Sequence, residues 1–253
     1  MSAAPRFFVA VVVICGMAVL TYTVLHGSSE NPLKFICYLV IALAASRLKV
    51  NLPGIAGTMS ANFLFLLLGV LELGLSEAMA LGCAATVVQC LGERPVPIQV
   101  AFNVCSTALA IAVTFATYHY SLAHYAVGNP TTLLFLATCV YFVANTVPVA
   151  SVISLTEHRS LRKIWADCYF WSFPYYLVGA GVAGMMTWLH GFADWQTSLL
   201  TLPIVYLIYR SYRIYLGKLE DEKRHVEEMA DLHMRTIEAL ALAIEAKDQT
   251  THD

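Results

Sequence analysis

From Phe7 to Leu25 the chain runs without a single charged side chain, and a stretch that long and that apolar has few places to go. It is long enough to cross a hydrocarbon core about 30 Å thick, which takes roughly 20 residues of helix. Comparable stretches recur at approximately 7–26, 32–46, 60–75, 76–92, 98–118, 132–154, 164–188 and 196–216, separated by the places where charge, Pro or Gly collects. The pattern predicts an all-α fold, a polytopic membrane helix bundle of about eight spans followed by a long cytoplasmic helix of coiled-coil character. The second, third and fourth stretches are short for spans, and the third and fourth also fit a hairpin that dips into the bilayer and returns. The first reads as a retained helix, because no small-residue cleavage site follows a short apolar core.

Composition sharpens this. Hydrophobic side chains make up 58% of the 253 residues and charged ones 13%, against about 25% charged in a soluble domain, which excludes disorder, collagen and a disulfide scaffold. The charges are also unevenly placed, with 15 of the 32 in the last 36 residues. The seven cysteines, at 15, 37, 83, 90, 105, 139 and 168, lie in apolar runs without paired spacing; they read as small, buried, reduced side chains.

Basic residues collect in cytoplasmic loops. With eight spans and the N-terminus inside, the cytoplasmic face receives Arg6, then Arg47 and Lys49, then Arg94, then Arg159, Arg162 and Lys163, then Arg210, Arg213 and the tail, and only Lys34 is left outside. Seven or nine spans scatter the charges over both faces. The expected location is a bacterial inner membrane, multi-pass, with both termini cytoplasmic.

Ionisable groups at membrane depth are costly and point to sites. Glu72 lies deep in its stretch without a local partner, and Glu77 begins the next. Asp167 has Arg162 and Lys163 within pairing distance in sequence, and His119, His124 and His190 fall near the outer surface. Aromatic and amide groups crowd the fifth to seventh stretches. Ligand-binding candidates are Glu72, Asn103, Tyr141, Asn145, Asp167, Trp171 and Tyr175; the same aromatics equally suit ordinary helix packing beside Gly179, Gly181 and Gly184. Pro148 and Pro174 are expected to interrupt their helices. The segment 47–63 reads either as a loop lining a cavity from the cytoplasmic side or as a plain connection ending in an N-cap at Ser60. No P-loop, HExxH, GxSxG, dinucleotide fingerprint or metal-spaced His/Cys set occurs, so this chain alone is expected to be no enzyme and to need no cofactor.

The tail has its own pattern. Leu219, Val226, His233, Ile237, Leu240 and Ile244 belong to a series spaced by threes and fours, with charges on the other faces. That is an a/d seam, which buries its stripe against a second helix. A parallel homodimer is the simplest partner; a single amphipathic helix packed on a soluble domain is the other.

The segment Thr236-Ile-Glu-Ala-Leu-Ala-Leu-Ala-Ile-Glu-Ala-Lys-Asp-Gln-Thr-Thr resembles the leading helix of the HD-GYP family, the metal-dependent phosphodiesterases of cyclic di-GMP. Asp248 and Thr251 match the family's Ala-Lys-Asp and following Thr, while the His252-Asp253 pair is not the family's downstream HD pair. The resemblance implies a sensory membrane domain over 1–216, a signalling helix over 217–248 and, at 249–253, a stub of an HD-GYP domain. It implies regulation of a hydrolase whose binuclear metal belongs to the domain beyond, with no catalytic or metal residue in this chain. Membrane lipid, a second copy and an unidentified small molecule or lipid are the expected partners, and no nucleic acid. The alternative is a small transporter or permease with a helical tail, and a membrane enzyme acting on lipid is a third possibility without a visible catalytic set.

Overall fold

A computed structural model describes residues 3–27, 31–47, 49–51, 58–60, 62–91, 96–120 and 129–190, and in the tail 206, 210, 214, 217, 221–222 and 224–239. The chain divides into two compact units, Met1–Val205 and Tyr206–Asp253.

In the first unit the helices are α1 (Ala3–His26), α2 (Pro32–Ser46), α3 (Asn62–Glu72), α4 (Leu75–Leu91), α5 (Pro97–His119), α6 (Pro130–Glu157), α7 (Leu161–Cys168) and α8 (Phe173–His190). A 3-10 turn, Phe170–Ser172, joins α7 to α8. Among the described residues three helices are long and apolar enough to cross a membrane, spanning Ala4–His26, Pro97–His119 and Pro130–Glu157. Shorter apolar helices are Pro32–Ser46, Asn62–Glu72 and Leu75–Leu91. At about 1.5 Å per residue α3 is only about 16 Å long, half a bilayer core.

Local chemistry sets the helix starts. Asn31 accepts from the Lys34 N–H at 3.2 Å and Asn129 from the Thr131 N–H at 3.0 Å, each followed by a proline at the first position, where the lost donor costs nothing. Ahead of Pro97 the Gln99 side chain accepts from the Val96 N–H at 3.2 Å. Glu77 reaches back to the Gly74 N–H at 3.1 Å and so closes the start of α4.

The core is organised around α3. Every residue from Asn62 to Val70 is buried, and α2, α4, α5 and α8 pack around it. A helix covered on all sides has no use for a polar face, which is why its sequence, NFLFLLLGVLE, carries none between Asn62 and Glu72. α5 packs against α1, α4 and α6. At the α1–α5 crossing a Cβ on Gly16 would meet the Cβ of Cys105 and lie 2.7 Å from its carbonyl oxygen, so only glycine lets these backbones approach. The outward faces remain apolar: Phe7 is 73% exposed and Ile14 67%.

Several expectations need correction. In the segment 47–63, residues 48, 52–57 and 61, on which the cavity-lining reading falls, lie outside the described residues, and Ser60 is a strand residue and not the N-cap. Lys49–Asn51 pairs antiparallel with Thr58–Ser60, and the helix begins at Asn62. Pro148 does not interrupt its helix, since α6 runs through it. Pro174 is the second residue of α8, in a first turn where proline is tolerated. The seventh stretch is interrupted beside Pro174, as expected: α7 ends at Cys168, the 3-10 turn follows, and α8 restarts with the proline in its first turn. Of the six cysteines described only Cys105 is buried, while Cys15 is exposed on the outward face of α1. The eighth stretch, 196–216, lies almost wholly outside the described residues.

In the second unit residues 224–239 form a continuous helix. Ion pairs one turn apart, Arg224–Glu228 at 3.1 Å and Arg235–Asp231 at 2.9 Å, run along its surface.

Candidate functional site: a polar cavity at one end of the bundle

The C-terminal ends of α1, α3 and α5 and the N-terminal ends of α2 and α4 meet around a cavity of about 570 Å³. Its wall carries His26, Asn31, Lys34, Glu72, Ser76, Glu77 and His119. This is a dense polar set for a bundle whose core cluster is built of Leu, Phe, Ala, Ile, Val, Met and Tyr.

The centre of the site is an ion pair made across 38 residues of sequence. Lys34 Nζ lies 2.9 Å from Glu72 Oε2, with the two side chains 18% and 6% exposed. The same ammonium donates to the Glu72 carbonyl at 3.2 Å, an acceptor that the end of α3 leaves without an intrahelical donor. The Tyr38 hydroxyl donates to Glu72 Oε2 at 2.7 Å, and the ammonium stands 5.8 Å from the centre of the Tyr38 ring. Carboxylate, carbonyl and aromatic face thus enclose one ammonium, the combination that desolvated amines need.

Two histidines are fixed at the rim. His119 donates from Nε2 to the Val70 carbonyl at 2.9 Å and stacks on Phe115 with ring centres 4.2 Å apart. His26 donates from Nδ1 to the Tyr22 carbonyl at 3.0 Å. A second cleft of about 310 Å³ shares Thr23, Gly27, Ser76 and Glu77 with the first, but its further wall is Leu20, Val24, Phe35, Met79, Ala80 and Cys83. A polar chamber therefore adjoins an apolar one.

The sequence candidates separate into distinct places. Glu72 is at the cavity. Asn103 instead donates to Cys90 Sγ at 3.6 Å, between α5 and α4. Tyr141, Asn145 and Tyr175 come together in an aromatic cluster. There Phe63 meets Tyr141 at 5.2 Å and Tyr176 at 4.5 Å between ring centres, Phe142 meets Phe173 at 5.1 Å, and Asn145 donates to the Tyr176 hydroxyl at 3.4 Å. Tyr141 is buried there. Trp165 belongs to the same cluster, donating to Thr146 Oγ1 at 2.9 Å. Asp167 and Trp171 have helical backbone, but their side chains lie outside the described residues.

Lys34 is the site residue that sequence reasoning missed. It stands out only as the one basic residue left on the far side, and Glu72 as the carboxylate without a local partner; together they were each other's answer. Among the described residues no group of three His, Cys, Asp or Glu side chains is placed to hold a metal ion.

In the tail, Val226 and Ile237 are 65% and 61% exposed, and His233 is exposed as well. Met229, 51% exposed, flanks the same stripe, while Leu232 and Met234 lie off it. Leu219, Leu240, Ile244, Asp248 and Thr251 fall outside the described residues. Comparison with family models, with curated proteins and with solved structures finds no match to this chain.

Proposed function

We propose that this chain is the membrane-embedded sensory module of a cyclic di-GMP signalling system. The polar cavity takes a ligand, and the tail helix passes the response to an HD-GYP phosphodiesterase domain. The observation that carries the reading is the Lys34–Glu72 pair at the cavity wall. Withdrawing two charges from water costs several kcal/mol each and is recovered only in part by their attraction, so packing alone gives no reason to keep the pair. Two apolar side chains, which packing would prefer, do not stand at these positions.

Sidedness agrees. In the eight-span arrangement the ends of α1, α3 and α5 and the starts of α2 and α4 all face outward, so the cavity opens to the exterior and the tail lies in the cytoplasm. A polar chamber beside an apolar cleft suits a ligand with a polar head and an apolar body. The exposed Val226 and Ile237 offer a stripe to the second helix of a parallel dimer. The link to cyclic di-GMP rests on the resemblance at 236–251.

The test is disulfide trapping in native membranes. In a variant carrying Val226→Cys on a background with the native cysteines replaced, tails are expected to cross-link between copies. The rate should respond to one member of a panel of medium-chain amphiphiles with amine, hydroxyl or carboxylate heads. Adding Glu72→Gln should abolish the response and leave basal cross-linking in place. Proteoliposome uptake of the active amphiphile that disappears in Glu72→Gln would establish a transporter instead.

A further inference from the structure

At the opposite end of α6 from the cavity, the geometry points to a second binding site: α7 is a seat for the phosphate of an anionic phospholipid headgroup. α6 ends at His158, whose φ of 54° turns the chain sharply out of the helix. α7 then runs for 8 residues before the 3-10 turn leads into α8.

The two faces of this short helix differ completely. Arg162, Lys163 and Ala166 share one side of the helix, Arg159 stands just ahead of its N-cap Ser160, and all four are exposed. Ile164 on the other side is 3% exposed. Its neighbour Trp165 is held by the bond to Thr146 and by Phe142, with ring centres 5.7 Å apart. The apolar side therefore pins the helix to the bundle and the cationic side is presented outward. Arg159 lies 3.4 Å from Glu157; Arg162 and Lys163 make no ion pair among the described residues.

The position selects the anion. α6 has 28 residues, about 42 Å of helix against a hydrocarbon core of about 30 Å, so its end and the attached α7 reach the headgroup level. Leu161 and Phe170, 41% and 56% exposed, stand at the same corner. Cations beside exposed apolar and aromatic side chains are what an interfacial helix uses to hold anionic lipid, the apolar groups entering the acyl boundary while the cations meet phosphate. A soluble acidic partner would use the cations and leave Leu161 and Phe170 in water.

The inference rests on the membrane reading above, independently of the cavity and its ligand. The experiment uses the full chain in a neutral maltoside, with the thermal unfolding midpoint measured after adding phosphatidylglycerol, phosphatidylcholine or inorganic phosphate. Phosphatidylglycerol is expected to raise the midpoint by about 3 °C or more over phosphatidylcholine. Arg162→Gln/Lys163→Gln should lose most of that rise, while Arg162→Lys/Lys163→Arg and the tail variant Arg224→Gln/Arg235→Gln keep it. Equal rises with both lipids, a full rise in the neutralised variant, or an equal rise with inorganic phosphate would each overturn the proposal. Release of the chain from membranes by alkaline carbonate would overturn the membrane reading as well, whereas retention without lipid selectivity overturns the seat alone.

Discussion

α3 carries two sites of opposite character at its two ends. Phe63, one residue from its start, is the hub of the aromatic cluster, and Glu72, its last residue, anchors the polar cavity. At the first end, rings meet at 4.5 to 6.5 Å and the polar groups, such as Asn145 with Tyr176, bond to one another. At the other, an ion pair, a tyrosine hydroxyl and two histidines surround an open volume. Both ends are rich in side chains that can bind ligands, and the difference lies in whether the groups fill the space or line it. Filled space contributes stability through dispersion and excluded voids; lined space with buried charge costs stability, and under the function proposed above binding is the reason for the residues.

The strongest way to break this contrast is Phe63→Ala. If the cluster is structural, removing its hub costs about 3 kcal/mol or more, read as a lowered unfolding midpoint in detergent, with ligand affinity at the cavity unchanged in the protein that remains folded. A large loss of affinity with little loss of stability would make the aromatic cluster the binding site after all.

Next in size is the pair itself. Glu72→Ala leaves the Lys34 ammonium in a largely enclosed site without its carboxylate. Breaking a fully buried pair costs about 3–5 kcal/mol, and partial exposure of Lys34 reduces that to about 2. The double variant Lys34→Met/Glu72→Leu should recover most of the stability and still bind no ligand. A double variant as unstable as the single one would show that the pair is structural, and the cavity would lose its claim to a function.

How far the sequence made these two ends legible depends on the range of the interaction. The helical class, the apolar stretches and the concentration of charge in the tail were legible, because they follow from composition and from the order of residues along the chain. The aromatic cluster was half legible: Tyr141, Asn145 and Tyr175 were singled out together, but whether such rings enclose a space or fill it is decided by Phe63 from another helix. The cavity was hidden for the same reason. Lys34 and Glu72 meet only through the packing of α2 on α3, and periodicity within one segment carries no information about its neighbour. The interruption ahead of α8 was legible from Pro174, but α7 as a separate amphipathic helix was not, because an apolar count over 164–188 is blind to the pattern of its first turns.

A smaller effect separates a bond that fills space from one that serves a site. Tyr176→Phe removes the 3.4 Å partner of Asn145 while keeping the ring and its packing. It should cost about 1 kcal/mol or less, seen as a small fall in the unfolding midpoint without a change in ligand affinity.

The smallest effect is expected where side chains are solvated on both sides of a pair. Arg224 and Glu228, 3.1 Å apart, are 79% and 61% exposed, and an exposed pair one turn apart contributes under about 0.5 kcal/mol. Glu228→Gln should therefore leave the midpoint unchanged, and about 0.5 M salt should remove what little remains. The same exposure makes the tail informative in another way. Val226→Ser deletes an apolar group that a lone helix already leaves in water, so in a monomer it costs almost nothing. In a dimer the same change opens the seam and weakens cross-linking at Ile237→Cys. The two charged regions of this protein then part company: at the cavity removing one charge is severe because the pair is enclosed, and along the tail it is silent because both charges are solvated.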